Sequence, residues 1–121
     1  MANVLTDAHA RKVVQAYLNI SATRSTSGDG TAVVAAPGAT NRNALKELTV
    51  FLVDTTTTVT VVLKLGDVTY PGILLNSTRD SLTLGYPADE EFRCSANGAV
   101  YVNLDGAVSV GCIGRYFVEA I

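Results

Sequence analysis

Residues 58–65 read Thr-Val-Thr-Val-Val-Leu-Lys-Leu, and this stretch decides the fold class. Apolar side chains occupy every second position, at Val59, Val61, Leu63 and Leu65. Threonine or lysine fills the positions between them, with the single exception of Val62. Because successive side chains of a β-strand point to opposite faces of a sheet, this alternation predicts a strand with one buried face.

The same two-residue period returns in residues 98–104, and the Asp105-Gly106 pair that follows is typical of a two-residue hairpin turn. We therefore expect the chain to return as a neighbouring strand through residues 107–120. One face of that returning strand carries Val108, Val110 and Cys112. From both alternating stretches, the predicted core residues are Val59, Val61, Leu63, Val100, Val102 and Leu104.

Residues 45–53 are apolar on both faces. Leu48, Val50 and Leu52 mark one face, whereas Phe51 and Val53 keep the opposite face apolar too. A strand of this kind is central in a sandwich or is covered by another subunit. We interpret Phe51 and Val53 as subunit-interface residues; the alternative is that Phe51 fills the far side of its own sandwich.

Shorter strands are predicted between frequent turn residues. They comprise residues 31–36, 67–70, 73–75 and 81–84, separated by turns at 27–30, 37–38, 71–72 and 85–87. A chain of 121 residues has room for one domain. The spacing predicts an all-β, single-domain antiparallel β-sandwich of seven or eight strands, jelly-roll-like in its connections.

The N-terminal stretch fits two patterns. Thr6 could cap a helix, with an apolar stripe at Ala10, Val13, Val14, Tyr17 and Leu18. Part of the same stretch also alternates as a strand, with Val14, Ala16, Leu18 and Ile20 on one side. The β-branched Val13-Val14 pair favours an arm or short helix over residues 1–12, followed by a strand to about residue 23. The β-sandwich domain is thus expected over residues 13–121.

Composition excludes several function classes. The net charge is −2 and the basic residues are scattered, so nucleic-acid binding is not expected. No apolar run approaches the about 18 residues of a membrane helix, so no membrane partner is expected. Hydrophobic residues make up 48% and charged residues only 17%, which indicates that some apolar surface is buried against another chain. The first residues show no secretory pattern.

Candidate chemical groups are few. His9 is the only histidine, and the acidic run Asp89-Glu90-Glu91 does not have the spacing of a calcium loop. Cys94 and Cys112 are in phase with apolar neighbours, so we expect buried, reduced thiols rather than a disulfide or zinc site. The sequence therefore predicts no catalytic, cofactor-binding or metal-binding residues, and no enzyme.

The order of these segments resembles a known group of proteins. The segments are residues 27–36 (Ser-Gly-Asp-Gly-Thr-Ala-Val-Val-Ala-Ala), 45–53, 60–67, 82–87 (Leu-Thr-Leu-Gly-Tyr-Pro), 97–111 with its Leu-Asp-Gly-Ala-Val hairpin motif, and 116–119 (Tyr-Phe-Val-Glu). From about residue 23 to 121, this progression resembles small β-sandwich proteins encoded among the structural genes of tailed bacteriophages, especially capsid decoration (cement) proteins. The similarity lies in the pattern of strands and not in a signature of functional residues.

The resemblance implies a jelly-roll-like subunit that forms a homotrimer on the outer capsid surface of the virion and bridges major capsid proteins. It also implies assembly in the host cytoplasm. The stretch before residue 23 has no counterpart, so a capsid-contacting arm is our own inference. That arm comprises Ala2, Asn3, Val4, Leu5, Thr6 and Asp7. Two alternatives stay open: another virion component on the same fold (a head-fibre base, neck or tail protein), and a sugar-binding β-sandwich module. The absence of tryptophan and the spread of the five tyrosines disfavour the sugar-binding module.

Overall fold

The computed structural model describes residues 16–121, which contain nine β-strands and no helix. In chain order the strands are β1 (Leu18–Arg24), β2 (Asn41–Leu52), β3 (Val59–Leu65), β4 (Val68–Thr69), β5 (Ile73–Leu75), β6 (Ser81–Gly85), β7 (Phe92–Arg93), β8 (Val100–Leu104) and β9 (Val110–Ala120). All strand pairs are antiparallel, and the two sheets pack against each other. The predicted all-β sandwich is confirmed.

Each sheet has one long central strand with shorter partners. In sheet A the order is β1-β9-β2, and both β6 and β7 pair with the remaining edge of β2. In sheet B, β3 is central: Val61 pairs with Leu104 of β8 and also with Ile73 of β5. A strand has only two edges, so β8 lies on one side of β3 and β5 on the other; β4 shares the β5 side for the same reason.

The connections follow jelly-roll order. After β1 the chain crosses to sheet B, where Gly28 and Val34 form single bridges with Leu104 and Val100 of β8. The predicted strand at 31–36 is therefore reduced to one bridge beside β8. With this segment counted as a strand, β4 and β5 counted as one and β6 and β7 counted as one, eight strands form two four-stranded sheets, as in a jelly roll.

The core lies between the two sheets and contains every residue predicted for it. The side chains of Val59, Val61, Leu63, Val100, Val102 and Leu104 are at most 3% exposed. Sheet A contributes Leu48, Val50, Val110 and Cys112, all fully buried. Burial of each such aliphatic side chain stabilises the fold by roughly 1.5–3 kcal/mol.

The Asp105-Gly106 hairpin prediction is wrong, because β8 and β9 belong to different sheets. Asp105 instead bonds to the start of β3: its Oδ1 accepts a hydrogen bond from the Thr60 N–H at 2.9 Å, and its own N–H donates to the Thr60 carbonyl. Residues 105–109 then cross to sheet A. An Asp-Gly pair favours a tight bend, but a bend alone does not decide which strand follows it.

Several predicted boundaries also move. Residues 16–121 contain nine strands rather than seven or eight: β4 and β5 are separate, in agreement with the predicted turn at Pro71 and Gly72, and a two-residue β7 is added. The turn at residues 27–30 leads into the sheet crossing and does not join two paired strands. The strand ending near residue 23 is seen as β1. The arm over residues 1–12, including Ala2 to Asp7 and His9, lies outside the described residues.

Arg24 joins the two sheets at one end of the sandwich. It belongs to edge strand β1, yet its side chain points inward and is only 4% exposed. Nε donates to the Val102 carbonyl in sheet B, and the Nη atoms donate to Thr26 and to the Gly28 carbonyl, at 2.8–3.3 Å. All these acceptors are uncharged oxygens. The buried cation therefore depends on hydrogen bonds that hold its loop in place.

The core assignment predicts the effect of a single truncation at Val61. Val61→Ala should lower the free energy of unfolding by about 1–3 kcal/mol, through lost burial and the cavity left behind. Val62→Ala, on the opposite and partly exposed face of β3, is the matched control and should cost less than about 1 kcal/mol. Urea denaturation measures both. Equal losses would contradict the assigned faces of β3.

The loop that Arg24 holds by hydrogen bonds contains two glycines with positive φ, +85° at Gly28 and +59° at Gly30. We expect alanine to destabilise the fold by different amounts at these two positions. A Cβ on Gly28 meets nothing within 4 Å, whereas one on Gly30 would overlap the Arg24 guanidinium. Gly28→Ala should therefore lower the free energy of unfolding by about 1 kcal/mol, from backbone strain alone. Gly30→Ala should lower it by more, because the clash with Arg24 adds to the strain. In an Arg24→Met background the two substitutions should cost the same. Thermal unfolding of both glycine variants in each background, compared with the unchanged chain and with Arg24→Met, tests this, and a persistent difference would refute the clash.

Candidate interaction face

The outer face of sheet A carries an uncharged patch centred on Phe51. The pairing registers of β1, β9, β2 and β6 place its members side by side, facing away from the core. We call this patch the Phe51 face; it consists of Ser21, Thr23, Thr49, Phe51, Val53, Ser81, Thr83, Gly111 and Ile113.

Phe51 owes its position to its neighbours on β2. Because Val50 and Leu52 are buried in the core, the two-residue period turns Phe51 outward. Its ring lies flat on β9 over Gly111, which is opposite it in the pairing register, and a Cβ on Gly111 would collide with that ring. The missing side chain thus leaves a half-buried aromatic ring on the outer surface of the sheet.

Two exposed aliphatic side chains flank the ring. Val53 is 59% exposed and Ile113 is 50% exposed. The Val53 N–H donates to the Ser109 carbonyl at 3.2 Å, which extends the pairing of β2 and β9 past the end of β2. Both side chains line one shallow depression of about 280 Å³ together with Phe51 and Thr23. The structure therefore brings the two predicted interface residues, Phe51 and Val53, together and adds Ile113.

The remaining part of the outer face is charged and paired. Arg115 Nε lies 2.9 Å from Glu47 Oε1, and Glu119 Oε1 accepts from both Arg42 and Arg93, at 2.7 and 2.8 Å. The hydrogen bond to Glu47 raises the pKa of Arg115 above its ordinary value. All three ion pairs lie at one end of the sheet, so the Phe51 face itself carries no charged side chain.

Tyr17 packs over the charged end of sheet A. Its ring packs on Phe117 with ring centres 5.8 Å apart, and the Arg115 guanidinium lies 5.1 Å above it. The Tyr17 hydroxyl donates to Glu91 at 3.2 Å. Burial and the nearby Glu91 carboxylate raise the pKa of Tyr17. These contacts tie the segment before β1 to sheet A.

The division of the outer face matches the anatomy of protein interfaces. Their centres are depleted in charge and enriched in aromatic side chains, whereas polar and charged groups form the rim. The Phe51 face has an aromatic ring with aliphatic neighbours at its centre, hydroxyl side chains around them, and the ion pairs to one side. Sequence reasoning missed Ile113 because it predicted no pairing partner for residues 107–120 other than β8.

The other candidate groups occupy structural positions. Cys94 and Cys112 are buried and unlinked, and burial raises the pKa of each thiol to about 11. In the acidic run, Glu91 bonds to Tyr17 and pairs with Arg93. Over residues 16–121, no three histidine, cysteine or carboxylate side chains converge as a metal site would require. The same range contains no helix long and apolar enough to cross a membrane.

Folding brings together aromatic residues that are scattered in sequence. Tyr70 and Tyr86 share a hydrogen bond of 3.1 Å between their hydroxyls, and Phe92 contacts both rings, with ring centres 6.2–6.3 Å away. Burial is the main cause that raises the pKa of Tyr86, and its hydrogen bond to Tyr70 raises the pKa further. The two tyrosines border a cleft of about 540 Å³ between β5 and β6. In the sequence, each of the two tyrosines directly precedes a proline of a predicted turn, Pro71 or Pro87.

Comparison with known proteins identifies no family, since no protein-family model matches the chain and no curated protein matches it either.

Proposed function

We propose that this protein is a non-enzymatic virion component that decorates and stabilises a bacteriophage capsid. It acts by burying surface: a homotrimer on the outer capsid surface bridges neighbouring copies of the major capsid protein. The segment pattern that resembles capsid decoration proteins suggests this role, and the jelly-roll order of the strands is compatible with it. No cofactor, nucleic acid or membrane takes part.

One observation carries the proposal: an aromatic ring and two exposed aliphatic side chains form an uncharged patch on the outer face of a sheet. The inner face of the same sheet already packs on sheet B, so Phe51, Val53 and Ile113 do not contribute to the core. Large aromatic side chains contribute heavily to contact energy when a partner excludes water from them. The occupant we propose for the Phe51 face is a second copy of this chain.

Threonine and serine side chains suit the rim of such a contact. Thr49 and Thr83 share a hydrogen bond of 3.0 Å across β2 and β6, and Ser21 and Thr23 lie on the other side of the Phe51 ring. Short hydroxyl side chains let a facing sheet approach closely and lose little rotamer entropy when they are ordered. The charged end of sheet A then stays at the solvated edge of the contact, where ion pairs cost little to keep.

The alternatives have weaker structural support. A fibre-base, neck or tail protein would have the same fold, and copy number in the particle distinguishes it from a decoration protein. A sugar-binding module needs exposed aromatic platforms, yet Tyr70 and Tyr86 are half-buried and their hydroxyls bond to each other. Trimer formation and capsid occupancy therefore test the proposed function directly.

Phe51→Asp is expected to weaken the trimer without unfolding the subunit. A carboxylate at this position would lose its hydration in the contact, whereas in the separate subunit it would lie on a solvated face. Sedimentation should show dissociation at concentrations at which the unchanged protein is trimeric. Val68→Asp, at a 37% exposed position on sheet B, is the matched control and should leave the trimer intact. A monomeric unchanged protein would refute the contact.

Deletion of residues 2–7 separates capsid binding from subunit assembly. The shortened chain should remain a folded trimer, because the core and the Phe51 face lie within residues 16–121. Its occupancy on undecorated capsids should fall, since the arm is proposed to contact the shell. Quantitative gel analysis of purified particles measures the occupancy. Full occupancy without residues 2–7 would remove the arm from the proposal.

A further inference from the structure

The outer edge of β6 carries unpaired backbone groups. At the ends of its pairing with β2, the Leu52 N–H donates to the Asp80 carbonyl at 2.8 Å and the Tyr86 N–H donates to the Lys46 carbonyl at 3.1 Å. Backbone groups in an antiparallel pair alternate between the two edges of a strand. Residues 80, 82, 84 and 86 therefore face β2, whereas the N–H and C=O groups of residues 81, 83 and 85 face outward.

Nothing in residues 16–121 occupies that edge, because β6 is the last strand of sheet A on this side. Natural edge strands are commonly protected by a lysine, a proline, a bulge or a covering loop. The sequence of β6 is Ser-Leu-Thr-Leu-Gly, which contains no such protection, and its pairing with β2 is regular. The outward side chains, Ser81 and Thr83, are small, and Gly85 has none.

An apolar cleft lies directly beside this edge. It separates β6 from β5, which is the last strand of sheet B on the same side, and its volume is about 540 Å³. Buried Leu63 and Leu82 form its floor, and Ile73, Leu84 and Tyr86 form its walls. A strand added to β6 would direct every second side chain into this cleft, because side chains alternate along a strand.

A single cation marks one end of the cleft. Arg79 is exposed, lies two residues before the start of β6 and forms no ion pair within the described part of the chain. Its backbone is held in a tight turn, where the Asn76 N–H donates to the Arg79 carbonyl and Asn76 Oδ1 accepts from the Arg79 N–H. A carboxylate on a bound segment would meet Arg79 at the start of β6.

We propose that the β6 edge is an acceptor for an extended peptide segment of a partner protein, which adds to sheet A as an antiparallel strand. Main-chain hydrogen bonds to Ser81, Thr83 and Gly85 supply part of the affinity, and apolar side chains at alternate positions fill the cleft. An acidic residue at the C-terminal end of the segment pairs with Arg79. The site uses the backbone edge of β6, whereas the Phe51 face uses the Ser81 and Thr83 side chains, and its test requires neither a trimer nor a capsid.

The probe is the acetylated, amidated peptide Thr-Val-Thr-Val-Thr-Asp, which has the alternation and terminal charge that the cleft requires. Nuclear magnetic resonance titration of the full chain should show saturable shifts at Ile73, Leu84 and Tyr86. Thr83→Pro removes an outward N–H and no intramolecular ladder bond, so the fold should survive, and affinity should fall about tenfold. The peptide N-methylated at its second threonine, whose N–H would face β6, should bind equally weakly to the unchanged protein.

A charge exchange provides the second, independent variant. Arg79→Glu should weaken binding of the Asp-ended peptide and strengthen binding of the same peptide ended by lysine, whereas the unchanged protein shows the reverse preference. The proposal is overturned by absent shifts at millimolar peptide, or by affinity that is indifferent to Thr83→Pro. Self-association of the unchanged chain that Thr83→Pro abolishes and Phe51→Asp leaves intact would also overturn it, because a second copy would then fill the edge. Cleft shifts with maltohexaose instead of the peptide would overturn it as well.

Discussion

The two-residue period of β2 links the core of this protein to its outer surface. Leu48, Val50 and Leu52 are fully or almost fully buried, and they can be buried only if Phe51 and Val53 face the other way. A shift of register by one residue would exchange these sets and place three leucine or valine side chains in water. The core therefore holds the apolar outer patch in place, and the proposed subunit contact depends on it.

The hydrogen bonds of Arg24 stabilise the end of the sandwich next to the Phe51 face. Arg24 is opposite Val110, and the next pair in the register, Thr23 and Gly111, belongs to the Phe51 face. Nε of the guanidinium donates to the Val102 carbonyl, so a movement of β1 relative to β8 would leave this buried N–H without its acceptor. Such an arrangement gives the outer face a rigid support, and a rigid surface loses less entropy when it binds.

The two proposed contacts depend on different kinds of interaction. The Phe51 face offers side-chain area with its charges collected at one end, which suits a flat contact between subunits. The β6 edge offers backbone hydrogen-bonding groups beside an apolar cleft and one cation, which suits an extended segment. Together they would let one small domain contact two partners at once, as a protein that bridges others must do.

Period and composition alone determined the all-β class, the six core residues of β3 and β8, and the outward direction of Phe51, because alternation is a local property of the chain. The placement of β8 and β9 in different sheets could not be predicted from the local sequence. Asp105-Gly106 predicts a bend, but the hydrogen bonds of Asp105 to Thr60 decide where the chain goes next. The meeting of Tyr70, Tyr86 and Ile73 around the cleft, and of Ile113 with Phe51, likewise depends on pairing between distant strands. Tertiary structure decided these sites because strand neighbours are selected by the packing of the whole sandwich, which no short stretch of sequence contains.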